Sequence, residues 1–86
     1  MNKSELFEQL RSCINKYNFN SQQTNSSNTA EAARLYRIIF IEKSSLFPSN
    51  PSSEADRSSL AMMNSCRNCE ERIFRALRAY YIKNKK

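Results

Sequence analysis

Apolar residues recur at helical spacing in three stretches of this chain, and polar segments separate the stretches. The first stretch predicts a helix over residues 4–17, with Ser4 as its N-cap and with Glu5 and Glu8 where the helix dipole favours acids. Its apolar side chains fall on one helical face. They are Leu6, Phe7, Leu10, Cys13, Ile14 and Tyr17.

A second helix is predicted over residues 29–45, after a polar tract at residues 18–28 that predicts a flexible linker. Asn28 and Glu31 have the spacing of a capping box at its start. Residues 35–41 are apolar on more than one side, so a strand is the competing interpretation. The cap and the lack of a second strand to pair with favour the helix. So broad an apolar surface indicates either the centre of a bundle or a face that another chain covers.

A third helix is predicted over residues 53–83, with Ser53 near its start, because neither Gly nor Pro interrupts the stretch. About 30 helical residues would be about 45 Å long. Glu71 is spaced for ion pairs with Arg67 and Arg75 on the polar face. The apolar face repeats in steps of three and four residues, as in a packing seam. The repeat comprises Met62, Cys66, Cys69, Ile73, Ala76 and Tyr80, and Met63, Phe74, Leu77 and Tyr81 widen it.

These patterns predict an all-α protein: a single domain over residues 1–86, arranged as a three-helix antiparallel bundle with a long C-terminal helix. The chain has no Gly, which excludes Gly-rich phosphate loops, and no His, which removes the commonest general base and metal ligand. Glu70 and Glu71 would point about 100° apart on a helix, so they are interpreted as surface acids. We therefore expect no enzyme activity, no cofactor and no metal site.

Three cysteines are present, and two of them form a Cys-x-x-Cys motif at Cys66 and Cys69. The N-terminal residues fit neither a secretory signal nor a transit peptide, and no run of about 18 apolar residues could span a membrane. A cytosolic or nuclear location with reduced thiols is therefore expected. Since the motif falls in the middle of the predicted third helix, packing in an apolar face is the favoured interpretation. Metal or redox chemistry is the alternative.

The net charge of +6 is concentrated at the C-terminus, because residues 72–86 contain six bases and no acid. The first 71 residues are neutral, with eight bases and eight acids. Clustered positive charge is typical of phosphate binding, so direct contact with nucleic acid is one interpretation. A solvated helix end, or contact with an acidic protein surface, is the other. The residues concerned are Arg72, Arg75, Arg78, Lys83, Lys85 and Lys86.

The segment from Glu71 to Tyr80 resembles the E-R-x-x-R-x-L-x-A-Y pattern in the long helix of GINS complex subunits, most closely the Psf-one type and next the Sld-five type. A departure is Ile73-Phe74, where Psf-one-type proteins usually have Asn-Lys. The residues that match the pattern are Glu71, Arg72, Arg75, Leu77, Ala79 and Tyr80.

The resemblance implies a nuclear, non-catalytic subunit of a DNA replication assembly. Its implied partners are other GINS-like subunits and the replicative helicase components that GINS joins. The alternative is a small basic helical protein that binds nucleic acid through its C-terminal helix. The expected partner interface comprises apolar residues of the second and third helices, namely Leu35, Ile38, Ile39, Ile41, Ile73, Phe74, Leu77, Tyr80 and Tyr81.

Overall fold

The computed structural model describes residues 2–17, 26–42 and 53–84. The fold is all-α, as the sequence predicts, and these residues include no strand. Their α-helices are α1 (Lys3–Lys16), α2 (Ser26–Tyr36), α3 (Glu54–Met62) and α4 (Arg67–Asn84), and α2 continues directly as a π-helical turn at Arg37–Ile41.

Helix α1 lies where the hydrophobic pattern predicts it, but its N-cap is Asn2 rather than Ser4. The Asn2 side-chain oxygen accepts a hydrogen bond of 2.8 Å from the backbone N–H of Glu5, which would otherwise have no partner in the first turn. The helix ends at Tyr17, whose extended backbone stops the helical pattern. Three residues of the predicted stripe are buried: Leu6, Leu10 and Cys13.

Helix α2 begins at Ser26, so residues 26–28 are helical and do not belong to a flexible linker. Asn28 does not act as the predicted cap. It is buried, and its side-chain amide donates a hydrogen bond of 3.1 Å to the backbone oxygen of Cys13, which holds α2 against α1. The rest of the predicted linker, residues 18–25, and the predicted helix end at 43–45 lie outside the described residues.

The apolar run at residues 35–41 is helical, as predicted against the competing strand, but its last part is wound as a π-helix. The N–H of Glu42 donates to the oxygen of Arg37 at 2.8 Å, five residues back. The wider turn spreads the apolar side chains around the axis. Ile39 is buried, whereas Ile41 is 43% exposed.

The single long helix predicted over residues 53–83 is wrong, because the chain turns at residues 63–66 and folds back. Ser53 caps α3 by accepting a 3.0 Å hydrogen bond from the N–H of Asp56. After α3, the N–H of Ser65 bonds to the oxygen of Met62 in a tight turn. A straight helix of about 45 Å would exceed the longest dimension of the molecule, 33 Å. Folding back buries Met63 in the core.

One apolar core joins all four helices. Helix α4 packs against α1, α2 and α3, so it occupies the centre of the fold. No helix in the described part of the chain is long and apolar enough to cross a membrane. The buried apolar residues are Leu6, Leu10, Cys13, Ala32, Leu35, Tyr36, Ile39, Leu60, Met63, Ile73, Phe74, Leu77 and Tyr80.

Candidate functional site

Most of the apolar side chains predicted to face a partner are used inside the chain's own core. In this fold another chain cannot reach them, because they are buried against the neighbouring helices. They are Leu35, Ile39, Ile73, Phe74, Leu77 and Tyr80. Of the remaining predicted interface residues, Ile38 and Tyr81 are half-buried, and Ile41 is exposed.

Among the described residues, two of the three exposed large apolar side chains, Ile41 and Ile82, lie at one end of the fold, which we call the aromatic end, and the third, Met62, lies at the end of α3. The aromatic end is defined by the rings of Phe7, Phe40, Tyr80 and Tyr81 together with Ile41 and Ile82. Tyr80 stacks on Phe7 and meets Phe40 edge-on, each with ring centroids 5.9 Å apart, and Tyr81 also contacts Phe7. These contacts bring together the start of α1, the π-helical turn and the end of α4. The apolar repeat predicted from the sequence did not include Ile82, which is 55% exposed.

The basic residues of α4 line its outer face, and Arg72 and Arg75 form ion pairs within the chain. Arg72 forms an ion pair with Asp56 of α3, and the Arg75 Nε lies 3.1 Å from the Glu71 carboxylate, as the sequence spacing predicts. Arg78 and Lys83 are exposed, and the predicted Lys85 and Lys86 lie outside the described residues. Asp56 and Glu71 therefore offset part of the positive charge of α4 within the chain itself.

The opposite end of the fold carries the two cysteines of the Cys-x-x-Cys motif, and their expected position in mid-helix is wrong. Cys66 is the residue before α4, and its sulfur accepts a hydrogen bond of 3.2 Å from the N–H of Cys69. The two residues form a disulfide, with their Cα atoms 5.2 Å apart, so the expectation of reduced thiols at these positions is also wrong. Cys13 is a free, buried cysteine. The turn that ends α3 is what makes Cys66 a helix cap.

Tyr17 and Arg67 complete this end of the fold. The Tyr17 ring stacks on Phe74 with centroids 3.9 Å apart, and the Arg67 guanidinium lies 5.6 Å from the centre of the same ring. Burial raises the pKa of Tyr17, and the charge of Arg67 opposes that change. Arg67 follows Cys66 in the chain, so a positive side chain lies next to that cysteine at this end of the fold.

Glu70 is not the surface acid that the sequence suggested, because it is only 1% exposed. One carboxylate oxygen accepts a hydrogen bond of 2.6 Å from the hydroxyl of Thr29 on α2. The other oxygen has no hydrogen-bond partner among the described residues. A buried carboxylate is costly unless it is paired, so the Thr29 bond is the main polar contact that offsets its burial.

Replacing Thr29 with valine should lower the free energy of unfolding by about 1–3 kcal/mol, because it keeps the side-chain shape and leaves Glu70 without its hydroxyl donor. Urea denaturation measures the change. Thr29→Ser is the matched control, since it keeps the donor and should cost less. The double variant Thr29→Val/Glu70→Leu should recover part of the loss, since it replaces both partners with apolar groups. Equal losses for valine and serine would show that the hydrogen bond is unimportant.

The described residues include no group of three or more side chains spaced to hold a metal ion. The observed features define a class: a small all-α domain with an exposed apolar and basic end and a disulfide at the opposite end. No family model, no curated protein and no solved structure matches this chain.

Proposed function

We propose that this chain is a non-catalytic subunit of a multiprotein assembly and that it binds partner subunits through the aromatic end. The observation that supports this proposal is the exposure of Ile41 and Ile82 there, 43% and 55% respectively, over a cluster of packed rings. The proposed interface keeps Ile38, Ile41 and Tyr81 from the sequence prediction and adds Ile82. It omits the six residues that fill the core.

The charge around this end indicates the chemistry of the partner. Residues 72–86 contain six bases and no acid, and Arg78 and Lys83 in the last turns of α4 are exposed. A partner helix with apolar residues flanked by acids would complement this surface, since opposite charges at the rim orient the two chains and speed their association. A few exposed apolar side chains at the centre would supply most of the affinity.

The resemblance of Glu71–Tyr80 to GINS subunits supplies the particular assembly that we propose, a GINS-like complex that supports the replicative helicase. In such a complex the partners are the other GINS-like subunits and helicase components, and the location is nuclear. The resemblance includes two side chains that this fold buries, Leu77 and Tyr80, and two that form ion pairs, Arg72 and Arg75.

The test is a pull-down of the full chain from the source cell, with its partners identified by mass spectrometry. Recovery of GINS-type subunits and helicase components is the expected result. Ile41→Asp and Ile82→Asp should each abolish that recovery, because each buries a charge in the interface. Met62→Asp is the matched control, since Met62 is 53% exposed at the end of α3, away from the aromatic end. Equal recovery with all three variants would contradict the proposed interface.

Nucleic-acid binding by Arg72–Lys86 is the alternative proposal, and the ion pairs of Arg72 and Arg75 make it the weaker one. It predicts that affinity for DNA or RNA falls steeply between about 50 and 200 mM salt. Fluorescence anisotropy with a labelled oligonucleotide distinguishes the two proposals. Tight, salt-sensitive binding, with no replication protein recovered, would favour the alternative.

A further inference from the structure

The second candidate site is the Cys66–Cys69 pair at the N-terminal end of α4. Two cysteines separated by two residues lie at the start of an 18-residue helix, and their sulfurs are already bonded. Both side chains are half-buried, so solvent and small reagents can reach them. Cys13, by contrast, is buried within the core.

Two contacts distinguish Cys66 from Cys69. The Cys66 sulfur accepts the backbone N–H of Cys69, and the Cys66 backbone oxygen accepts the N–H of Glu70 at 3.0 Å. Cys66 therefore occupies the N-cap, where backbone N–H groups and the positive end of the helix dipole favour a thiolate. Arg67 adds a positive side chain at the next position. Cys69 lies inside the first turn and supplies the N–H that Cys66 accepts.

We propose that Cys66 and Cys69 form a thiol–disulfide exchange site, with Cys66 as the attacking thiolate and Cys69 as the resolving thiol, and that its co-reactant is a low-molecular-weight disulfide. This function goes beyond the proposed assembly role and uses the opposite end of the fold. The two proposals can therefore fail independently.

The reaction balances in two steps. The Cys66 thiolate attacks one sulfur of the co-reactant, breaks its S–S bond, and forms a mixed disulfide while the first thiolate leaves and takes a proton from water. Cys69 then releases its proton to water and attacks the Cys66 sulfur, which expels the second thiolate. The dithiol has lost two electrons, the co-reactant has been reduced to two thiols, and the Cys66–Cys69 disulfide has formed.

The first experiment measures how fast iodoacetamide modifies each cysteine of the reduced full chain between pH 5 and 9. Mass spectrometry of peptides assigns the sites. Cys66 should react before Cys69, with a midpoint at least about one pH unit below the ordinary value of about 8.5. In concentrated urea, where α4 is unfolded, the pH midpoints of the two cysteines should become equal. Equal midpoints in the folded chain would overturn the assignment of Cys66 as the attacking thiolate.

The second experiment exposes the reduced chain to oxidised glutathione. The expected product is the Cys66–Cys69 disulfide, formed equally well in the Cys13→Ser control. Cys69→Ser should accumulate a mixed disulfide at Cys66, whereas Cys66→Ser should form its adduct several-fold more slowly. A reduced chain that remains folded but forms neither product, or equal adduct formation in both variants, would overturn the proposal. Circular dichroism of each variant confirms that α4 is intact.

Discussion

Replacing Phe74 with alanine should lower the free energy of unfolding by about 3–5 kcal/mol, which is a large part of the total stability of a domain this small. Phe74 is fully buried at the centre of α4, and its ring stacks on Tyr17 at 3.9 Å. The loss combines the transfer free energy of the ring with the cavity that it leaves, since four helices fix the surrounding side chains. Thermal and urea denaturation followed by circular dichroism measure it.

Ile82→Ala is the matched control on the same helix. Ile82 is 55% exposed, so its truncation should change the stability by no more than about 0.5 kcal/mol. A comparably large loss in both variants would mean that Ile82 is packed as tightly as Phe74, contrary to its exposure in the fold. A small loss for Phe74→Ala would mean that Phe74 faces solvent or a partner, as in the interface predicted from the sequence.

The existence of the helices could be predicted from sequence because their apolar residues repeat strictly. Leu6, Leu10 and Cys13 form a stripe that only a helix can bury on one side, and α1 lies within one residue of its predicted bounds. The competing strand at residues 35–41 could be rejected for a similar reason, since an isolated strand leaves its backbone groups unpaired. Fold class depends on such local patterns.

The break between α3 and α4 could not be predicted, because nothing in the local sequence forbids a continuous helix there. Asn64 and Ser65 are weak helix formers, but no Gly or Pro marks the turn. The reason for the turn is tertiary: Leu60 and Met63 reach the core only when α3 folds back onto α4. A polar pair within a long apolar repeat is the one signal that could have indicated it.

The Cys66–Cys69 site depends on that turn, so the sequence could not place it either. In a continuous helix Cys66 would be an interior residue, whereas the turn makes it the cap of α4. The same turn packs α3 against α4, and six of the residues predicted to face a partner are buried in the core that these helices share. A straight third helix would have offered less cover to Ile73 and Phe74, both of which are fully buried in the folded chain.

Raising the pH above about 9 should destabilise the fold in a way that depends on Cys13. Burial raises the pKa of this thiol from 9.0 to about 12, and the Glu31 carboxylate adds to the effect. Below about pH 8 the thiol is neutral in both the folded and the unfolded chain, so its contribution to stability is fully present. Between pH 9 and 12 the unfolded chain releases the proton and the folded chain keeps it. Each pH unit then favours unfolding by up to about 1.4 kcal/mol, an upper limit because solvent screening reduces it.

The measurement is urea denaturation from pH 7 to 11 in the Cys66→Ser/Cys69→Ser background, where Cys13 is the remaining cysteine and disulfide exchange is absent. Cys13→Ala in the same background is the control. Burial also raises the pKa of Tyr17 and Tyr80, so both chains should lose stability at high pH. Only the chain with Cys13 carries the additional thiol contribution. The stability advantage of Cys13 over alanine should therefore be constant below pH 8 and shrink above pH 9. An advantage that stays constant to pH 11 would show that water reaches the thiol, and that α1 and α2 do not close over it.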